Sequence, residues 1–493
     1  MGNYDALVVG SGPNGLAAAI TLQEAGRKTL LIEARDTLGG GMRTKELTLP
    51  GFKHDVCSAI HPSWNSPFFR RLPLADYGLK WIHPEATIAH PLEEGAALAY
   101  KSLEKTAEGL GADADAYRFL YGPLVASWGK LEEDVLHPLL GVPKHLVPLA
   151  RFGWRALLPA TILGKTFFKT EAARALFGGV AAHGILPLGN IGTAAAGMLL
   201  GTIGHVAGWP LPKGGSQALA DALAAHFVSL GGEVQTGLEV AHLDELPDAE
   251  IVMLDITPKQ FLAMTDKLPA AYRRALESFK YGAGAFKLDY ALSEPVPWKD
   301  ERVAQAATVH LGGTLSELAA SEEGLTRGQA PQKPYVLVAQ QSLFDDSRAP
   351  AGKHTLWAYC HVPNGFKGDM TGAIETQIER FAPGFKDTVL ARHIMSAPDL
   401  QSYNPNYIGG DINGGAATLW QLAARPVLRP NPYQTPLKGV YLCSASTPPG
   451  GGVHGMGGYN AARSAVKALS SAGAGRSKQV RACPAPRTGS NPK

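Results

Sequence analysis

The first forty residues combine short apolar runs with one helical stretch. Residues 4–9 are apolar and end in two valines, as in a strand that is buried on both faces of a parallel sheet. A glycine-rich turn follows, then a helix that ends near Gly26, and then a second apolar strand over 29–32 that stops at Glu33. Strand, helix and strand in this order predict a βαβ unit with two parallel strands.

Further elements of the same kind are predicted later in the chain. The segment 218–230 has the amphipathic pattern of a helix that covers a sheet, and 231–240 is interpreted as a hairpin-like pair of strands. A strand over 250–254 stops at Asp255. A strand over 439–443 leads into a glycine-rich loop and then a helix from 459 to 469. Together these elements predict an α/β fold.

The turn after the first strand has the glycine spacing of a dinucleotide-binding site. The first glycine would make the tight turn, the second would admit a pyrophosphate to the backbone, and the third would let helix and strand pack closely. The phosphates would lie at the helix N-terminus, and an acid at the end of the second strand would bind the ribose hydroxyls. The residues expected to contact the cofactor are Gly10, Gly12, Pro13, Asn14, Gly15 and Glu33.

The residues after Glu33 favour FAD over NAD. The run 33–43 resembles the Glu-Ala-Arg-x-x-x-Gly-Gly extension of FAD enzymes in the glutathione reductase and amine oxidase superfamily. Its glycines would allow close approach to the cofactor phosphates, and either Arg35 or Arg43 would supply positive charge. The further contacts expected here are Ala34, Arg35, Gly39, Gly40, Gly41 and Met42.

A second strand, glycine-rich loop and helix occur near the C-terminus. The loop spans 444–458, and the helix after it would place backbone N–H groups and a positive dipole end at one point. A flavin needs such a site beside N1 and the C2 carbonyl, where negative charge collects on reduction. The contacts expected here are Val453, His454, Gly455, Met456 and Asn460.

Three groups of residues carry a resemblance to a known family. They are 449–455 with 460–463, 286–292 with 295–298, and 404–406 with 409–411. These runs resemble the phytoene desaturase-like FAD-dependent oxidoreductases, and within them the branch of pyridine nucleotide-disulfide oxidoreductase domain-containing protein 2. The resemblance implies FAD, an amine-oxidase-like fold with two domains, and redox or isomerising chemistry on hydrophobic substrates, often polyenes. It also implies a backbone contact between Val234 and the adenine.

The predicted architecture is therefore an FAD-binding Rossmann-like domain of the glutathione reductase and amine oxidase type, with an interleaved α+β substrate domain. The FAD domain would be discontinuous, with segments 1–50, 213–268 and 433–472. The substrate domain would take 51–212 and 269–432, including an apolar helical region over 139–212. Residues 473–493 contain five basic residues and no acid, and a disordered basic tail is expected there.

Composition and charge exclude several classes of protein. Hydrophobic residues make up 45% and charged residues 18%, so the chain is globular rather than disordered. The net charge of +3 comes from the tail. The rest of the chain is nearly neutral, so its charge gives no indication of nucleic-acid binding. The four cysteines show no CxxC pairing. No basic and apolar leader precedes the first strand, so a cytoplasmic location is expected.

One apolar stretch leaves two interpretations open. No Asp, Glu, Lys or Arg occurs between Arg174 and Lys213, but glycines and prolines interrupt it too often for a membrane-spanning helix. The preceding segment, 139–168, combines many apolar residues with interleaved Lys and Arg. It predicts an ordinary helical cap domain. The alternative is a basic, amphipathic layer that lies on an anionic bilayer, which would make the protein a peripheral membrane protein.

The chemistry would be carried mainly by the flavin. Hydride transfer between a substrate carbon and flavin N5 also requires movement of one proton. Candidates for that step are His454 in the second glycine-rich loop and His61 or Asp55 in the segment 54–62. Two further histidines, His183 and His205, are expected to be hydrogen-bonded core residues. Lys287 is expected to pair with Asp289.

The sequence thus predicts an FAD-dependent oxidoreductase that acts on a small apolar substrate such as an isoprenoid, polyene or lipid, as a desaturase, saturase or isomerase. Quinone and oxygen both remain candidates for the electron acceptor. One alternative is an amine or alcohol oxidase that uses oxygen. Another is an interaction module in which FAD is structural. No metal site is predicted.

Overall fold

The computed structural model describes residues 3–479, which form two large sheets joined by two small ones. The strands of this part of the chain, β1 to β16 in order, are Ala6–Val9, Thr29–Ile32, Thr44–Glu46, Lys53–Asp55, Trp81–Ile82, Ala86–Pro91, Ala96–Tyr100, Leu211–Pro212, Glu233–Gln235, Ile251–Leu254, Gly284–Leu292, Ala306–Leu311, Val336–Ala339, His354–Val362, Val389–Met395 and Val440–Leu442.

The helices surround these sheets and connect them. In chain order, α1 to α16 of the described residues are Pro13–Glu24, Leu103–Gly109, Ala114–Ala126, Trp128–Val135, Leu146–Ala156, Ala160–Phe167, Glu171–Ala181, Ala194–Val206, Gln217–Ser229, Pro258–Met264, Ala270–Glu277, Leu315–Glu323, Thr371–Phe381, Ala397–Tyr403, Leu419–Ala424 and Met456–Gln479.

The first sheet is parallel, in the order β16-β10-β1-β2-β9. Ala6 pairs with Thr29 on one side and with Ile251 on the other. Every residue of β1 and β2 is buried, because α1, α9 and α16 cover one face and segments of the chain near β10 cover the other. The predicted βαβ unit is confirmed. The parallel sheet brings three distant parts of the chain together at the carboxyl ends of its strands.

The second sheet has seven strands in the order β15-β11-β14-β13-β12-β6-β7. Its strands are antiparallel except for β6 and β12. One face packs on α3, α7 and α8, and the other on α13, with a buried apolar cluster on each face. The predicted α/β class with a second, interleaved domain is confirmed.

Two local predictions differ from the structure. Residues 231–240 hold only the strand β9, which joins the parallel sheet beside β2, and not a hairpin. The strand ends at Gln235, and Gly237 takes a φ of 70° as the chain turns away. Helix α16 extends to Gln479 and includes the first seven positions of the expected tail. The rest of that tail lies outside the described residues.

The apolar region 139–212 divides into two layers. Helices α7 and α8 are largely buried in the core of the second domain, whereas α5 and α6 expose apolar side chains. Within residues 3–479 no single helix is long and apolar enough to cross a membrane. The pair α5 and α6 reaches that length and composition together, with a bend of 98° between them.

Candidate functional site

A single large cavity, of about 700 Å³, runs from the carboxyl ends of β1, β2 and β10 to the second sheet. The sheet edge supplies its nucleotide half, and a chamber between the two domains forms the other half. In open α/β sheets, ligands bind at this edge. From the predicted set, the cavity is lined by Gly10, Gly12, Pro13, Asn14, Glu33, Ala34, Arg35, Gly40, Gly41, Val453 and His61.

The glycine turn has the predicted geometry. Gly10 has a φ of 95°, and Gly12 and Pro13 begin α1 without any side-chain cap. A Cβ on Gly15 would lie 1.9 Å from the Gly10 carbonyl oxygen, so the third glycine allows the close packing of helix and strand. Backbone N–H groups at the N-terminus of a helix form an anion site.

The carboxylate of Glu33 is held in place at the end of β2. It accepts hydrogen bonds from the Ser11 N–H at 3.0 Å and from the Ser11 hydroxyl, and Arg43 lies 3.2 Å away. Arg43 also donates to the carbonyl oxygens of Thr37 and Gly40. The buried guanidinium therefore orients Glu33 and the glycine loop. The exposed Arg35 donates to the carbonyl oxygens of Ser402 and Tyr403.

A second carboxylate, which the sequence-based predictions did not include, lies beside the turn. Asp255 follows β10 and accepts a hydrogen bond from the Gly15 N–H at 2.9 Å. Burial raises the pKa of this carboxyl to about 7. A Cβ on Gly12 would lie 2.6 Å from its Oδ2. Gly15 and Asp255 are 240 residues apart in the sequence, and the pairing of β1 with β10 brings them together. The sequence alone therefore could not show this hydrogen bond.

The extension after Glu33 enters the site only in part. Gly40 and Gly41 line the cavity, whereas Gly39 donates its N–H to the Ser11 carbonyl and faces Ala220. Met42 does not line the cavity. Its side chain is fully buried in the core under the first sheet.

The C-terminal loop also contributes fewer residues than expected. Gly451, Gly452 and Val453 line the cavity, but the four residues predicted after them do not. A Cβ on Gly455 would lie 2.6 Å from the Phe68 ring. Met456 is a core residue, and the Asn460 amide donates to the Leu136 carbonyl oxygen. These residues dock α16 onto Phe68, Leu136 and the core beneath the first sheet.

His454 does not lie in the cavity wall. Its Nδ1 accepts a hydrogen bond from the Met456 N–H at 3.0 Å, and its carbonyl oxygen accepts one from Ser66. Burial lowers the pKa of the imidazole to about 4. The ring is absent from the cavity wall and acts as a cap on the start of α16.

The structure does not place Val234 in the cavity wall, and the backbone contact with the adenine stays a prediction. Val234 lies in the edge strand β9, opposite Leu31, and packs on the core rather than on the cavity. The cavity wall beside Glu33 consists of the four residues Leu238, Glu239, Val240 and Ala241, which come shortly after this strand. These residues replace the second strand of the expected hairpin.

His61 is the predicted catalytic candidate that reaches the cavity. Its Nε2 lies 2.8 Å from the Ser216 hydroxyl, and its buried Nδ1 has no partner among the described residues. Burial lowers the pKa of His61 to about 4, so the ring is neutral. Asp55, the other candidate, is engaged in an ion pair with Arg348 at 2.6 Å.

The chamber at the far end is lined by aromatic and apolar side chains that the sequence patterns did not single out. They come from α8, from strands β12 to β14 and from loops, and among the described residues this half of the lining holds no Asp, Glu, Lys or Arg. The chamber residues are Ile60, His183, Leu200, Trp209, Thr308, Leu337, Trp357, Tyr359, Tyr407 and Ile412. The predicted pair of Lys287 and Asp289 is confirmed and lies outside this lining. His205, which bonds Tyr117 at 2.8 Å, is the expected core histidine.

These features fit an FAD and define the class of the protein. The N-terminus of α1, the glycines that leave no room for a side chain, and the oriented Glu33 suit a pyrophosphate and a ribose. The chamber beyond them would receive a substrate beside the flavin. Fold and cavity together define a two-domain FAD-dependent oxidoreductase of the amine-oxidase type.

The relatives agree with this class. A family model described as NAD(P)-binding Rossmann-like domain matches residues 8–72. Pyridine nucleotide-disulfide oxidoreductase domain-containing protein 2 of Mus musculus is 27% identical, over 93% of this chain and 92% of the relative. Phytoene dehydrogenase of Streptomyces griseus is 26% identical, over 78% and 77%. One component of the limonene dehydrogenase of Castellaniella defragrans is 23% identical, over 94% of each chain.

Solved structures show the same fold. An oxidoreductase from Methanosarcina mazei superposes with a TM-score of 0.61 at 16% identity, over 94% of this chain and 99% of that one. Putrescine oxidase superposes with a TM-score of 0.60 at 17% identity, over 95% and 99%. The chain is similar to the phytoene desaturase-like FAD-dependent oxidoreductases, which agrees with the predicted resemblance, and the predicted enzyme class and cofactor are confirmed.

Proposed function

We propose that the protein transfers hydride between an apolar substrate and FAD, with an isoprenoid, polyene or lipid-like molecule as the substrate. The observation that carries this proposal is the continuity of one cavity from the glycine turn to a chamber of Trp209, Leu337, Trp357 and Tyr359. Burial of apolar surface against such a wall stabilises a hydrocarbon by about 25 cal/mol per Å². An uncharged wall offers no partner for an ionic group.

The names of two relatives support this substrate class. One is called a phytoene dehydrogenase and another is a component of a limonene dehydrogenase, and both align with most of this chain. The bound flavin would supply the hydride acceptor. The chain itself would orient the substrate, exclude water and hold a proton. Neutral His61, whose Nδ1 has no partner among the described residues, is the candidate proton acceptor in the cavity wall.

Amine oxidation is the second candidate. Putrescine oxidase and cyclohexylamine oxidase share the fold, and the aromatic wall would attract a cation through its ring faces. However, the charged residues of the lining, Glu33, Arg35, Arg43, Glu239 and Asp255, all lie in the nucleotide half. No carboxylate in the described chamber would pair with an ammonium group, which favours the apolar substrate.

Anaerobic bleaching of the flavin tests the two candidates. The purified yellow protein is mixed without oxygen with polyenes, fatty acyl compounds or amines, and the flavin absorbance is followed. Bleaching by a polyene or acyl chain supports the proposal. Bleaching by amines alone would show an amine oxidase, and no bleaching by any compound would favour a structural FAD. Reoxidation of the bleached flavin by a quinone or by oxygen then identifies the electron acceptor.

We also propose a peripheral contact with an anionic membrane. Apolar side chains on α5, α6 and the preceding loop are exposed, among them Val142 at 95%, Leu146 at 69% and Trp154 at 55%. Lys144, Arg151 and Lys165 lie in the same segment. A basic amphipathic layer of this kind inserts its apolar face at the level of the headgroups.

Flotation with lipid vesicles tests the contact. We expect the protein to float with vesicles of phosphatidylcholine and phosphatidylglycerol, and less with phosphatidylcholine alone. Trp154→Glu should reduce flotation severalfold, because it places a charge at the apolar face. Val228→Glu is the matched control, since Val228 is 54% exposed on α9. Equal flotation of both variants would contradict the proposal.

A further inference from the structure

An arginine side chain is buried behind the wall of the FAD cavity. Arg425 directly follows α15 and is only 1% exposed. Its Nη2 donates a hydrogen bond to the Gly415 carbonyl oxygen at 3.3 Å, whereas its Nε has no partner among the described residues. No carboxylate within residues 3–479 forms an ion pair with this guanidinium. The carboxylate that acts on it, from a longer distance, is that of Asp411.

The guanidinium of Arg425 lies between two loops that form part of the cavity wall. A Cβ on Gly450 would collide with its Nη1, and one on Gly415 would lie 2.9 Å from its Nη2. The residues beside these two glycines line the cavity, 413–414 in one loop and 451–453 in the other. The positive charge is therefore separated from the cavity by little more than the backbone of these loops.

Asp411 offsets this charge only in part. Its carboxylate accepts hydrogen bonds at 2.7–2.8 Å from three backbone N–H groups, those of Gly282, Asn413 and Gly415. Burial lowers the pKa of Arg425 to about 10, so the guanidinium is still charged at neutral pH. A charge that is removed from water is costly unless an opposite charge compensates it. On the side of Gly450, the loop 444–453 contains no acid that could do so.

Reduction of a flavin creates negative charge of the kind that Arg425 lacks. Hydride transfer adds two electrons and one proton, so the ring gains one negative charge, which collects beside N1 and the C2 carbonyl. The loop 444–458 is the part of the chain whose pattern predicts a contact with that side of the ring. A fixed positive charge behind this loop, in a site that excludes water, interacts with the new charge more strongly than it would in water.

We propose that Arg425 stabilises the reduced form of the bound FAD and thereby raises its reduction potential. A higher potential favours loss of hydride from the substrate to the flavin and of a proton to a base such as His61. The protein would then act in the oxidising direction, as a desaturase rather than as a saturase. This inference rests on the proposed function, because it takes hydride transfer to FAD as the reaction. Arg425 is absent from the cavity lining, so it acts through its charge and not by contact.

The reduction potential of the bound FAD tests this proposal without any substrate. The FAD-containing protein is reduced in equilibrium with a dye of known potential, and the absorbances of flavin and dye are compared. We expect Arg425→Met to weaken the reduced state about tenfold relative to the oxidised state, which lowers the potential by about 30 mV for two electrons. Arg425→Lys keeps the charge and should change the same equilibrium less than about threefold.

Arg155→Met is the matched control. Arg155 lies in α5, is 7% exposed and has an Nε without a partner among the described residues, but it is absent from the cavity lining. Its replacement also removes a buried guanidinium, and it should leave the potential of the FAD unchanged.

Asp411→Asn is a second test with the opposite sign. The amide oxygen keeps an acceptor for the backbone N–H groups around it, while Arg425 loses the charge that partly offsets its own. We expect the potential of the bound FAD to rise. Arg425 itself stays in place in this variant, so the proposal can still be tested if Arg425→Met loses its FAD or unfolds.

Proton uptake on reduction is a readout that a change in packing alone would not move. In the wild type, one proton should accompany the two electrons, and the potential should fall by about 30 mV per pH unit near neutral pH. Without the charge of Arg425, the reduced ring should take up a further proton. The slope of Arg425→Met should then be steeper, toward about 60 mV per pH unit.

The remaining outcomes overturn the proposal. If Arg425→Lys lowers the potential as much as Arg425→Met, the charge of the side chain has no part in the effect. An unchanged potential in Arg425→Met, an equal fall in Arg155→Met, or a potential that does not rise in Asp411→Asn has the same consequence. No substrate enters these measurements, whereas the proposed function fails if no apolar compound bleaches the flavin. The two failures are therefore distinguishable.

Discussion

At the scale of single residues, the nucleotide half of the site depends on positions where a side chain has no room. Gly12 is one such position in the cavity wall, because its Cβ would lie 2.6 Å from the Asp255 carboxylate, at the point where a pyrophosphate would approach. We expect Gly12→Val to give a colourless protein of reduced stability. The absorbance ratio of flavin to protein after purification measures the effect. Gly129→Val, at a helical position with no atom within 4 Å, should keep its FAD; a yellow Gly12→Val would contradict the assignment of the turn.

Asp255 makes stability depend on pH. Its pKa is raised from 3.8 to about 7 by burial, so the folded state binds the proton more tightly than the unfolded state. The stabilisation is fully present below the unfolded value and is lost as the pH rises through the folded value. Asp255→Asn keeps an acceptor for the Gly15 N–H without the charge. We expect it to be more stable than the wild type by about 1–3 kcal/mol near about pH 8, and no different below about pH 4. Thermal unfolding across this range measures the difference, and a constant difference would contradict it.

The same residues show what sequence patterns can predict. The glycines of the turn, Glu33 and the start of α1 lie within about one βαβ unit, so spacing along the chain determined them. The contact between Gly15 and Asp255, and that between His61 and Ser216, depend on how distant strands and helices meet. No periodicity carries that information. Met42 and Val234 pack on the core beside the first sheet and not in the cavity wall, because a resemblance assigns a role without the local packing.

At the scale of elements, helix α7 packs so closely on the second sheet that glycine is required. A Cβ on Gly179 would meet His90 and His310 at 2.9 Å or less, while Tyr335 donates a hydrogen bond to the Gly179 carbonyl oxygen at 2.7 Å. Alanine normally stabilises a helix interior by about 0.5–1 kcal/mol relative to glycine. Here we expect Gly179→Ala to destabilise the protein by about 1–3 kcal/mol, because the helix must move away from the sheet.

Denaturant unfolding compares this variant with Gly129→Ala, which has open space around its Cβ and should gain stability. A gain in stability from Gly179→Ala would mean that the imidazoles of His90 and His310 move aside freely. The element-scale predictions from sequence succeeded for this layer, since α8 and the part of α7 after Arg174 are helices in the core, as the charge-free run indicated. They could not show that Gly179 faces His90 and His310, because only the tertiary fold brings this helix onto the strands β6 and β12.

At the scale of the whole molecule, one buried carboxylate, that of Asp55, connects the two domains. Asp55 ends β4, between the domains, and pairs with the fully buried Arg348 at 2.6 Å. It also accepts hydrogen bonds from the Ser216 N–H, at the start of α9, and from the Thr44 hydroxyl in β3. The elements that enclose the FAD cavity therefore meet at this carboxylate.

We expect Arg348→Met to destabilise the protein by about 3–5 kcal/mol, because it leaves a buried charge without its partner. Loss of the domain contact should also lower the FAD content, measured by absorbance alongside thermal unfolding. Asp55→Asn combined with Arg348→Met removes both charges and should recover a large part of the stability. The exposed pair of Arg327 and Glu323 supplies the control, since Arg327→Met should cost less than about 1 kcal/mol. If Arg348→Met behaves like that surface variant, the domains are joined by their apolar contacts, and this pair contributes nothing to closing the cavity.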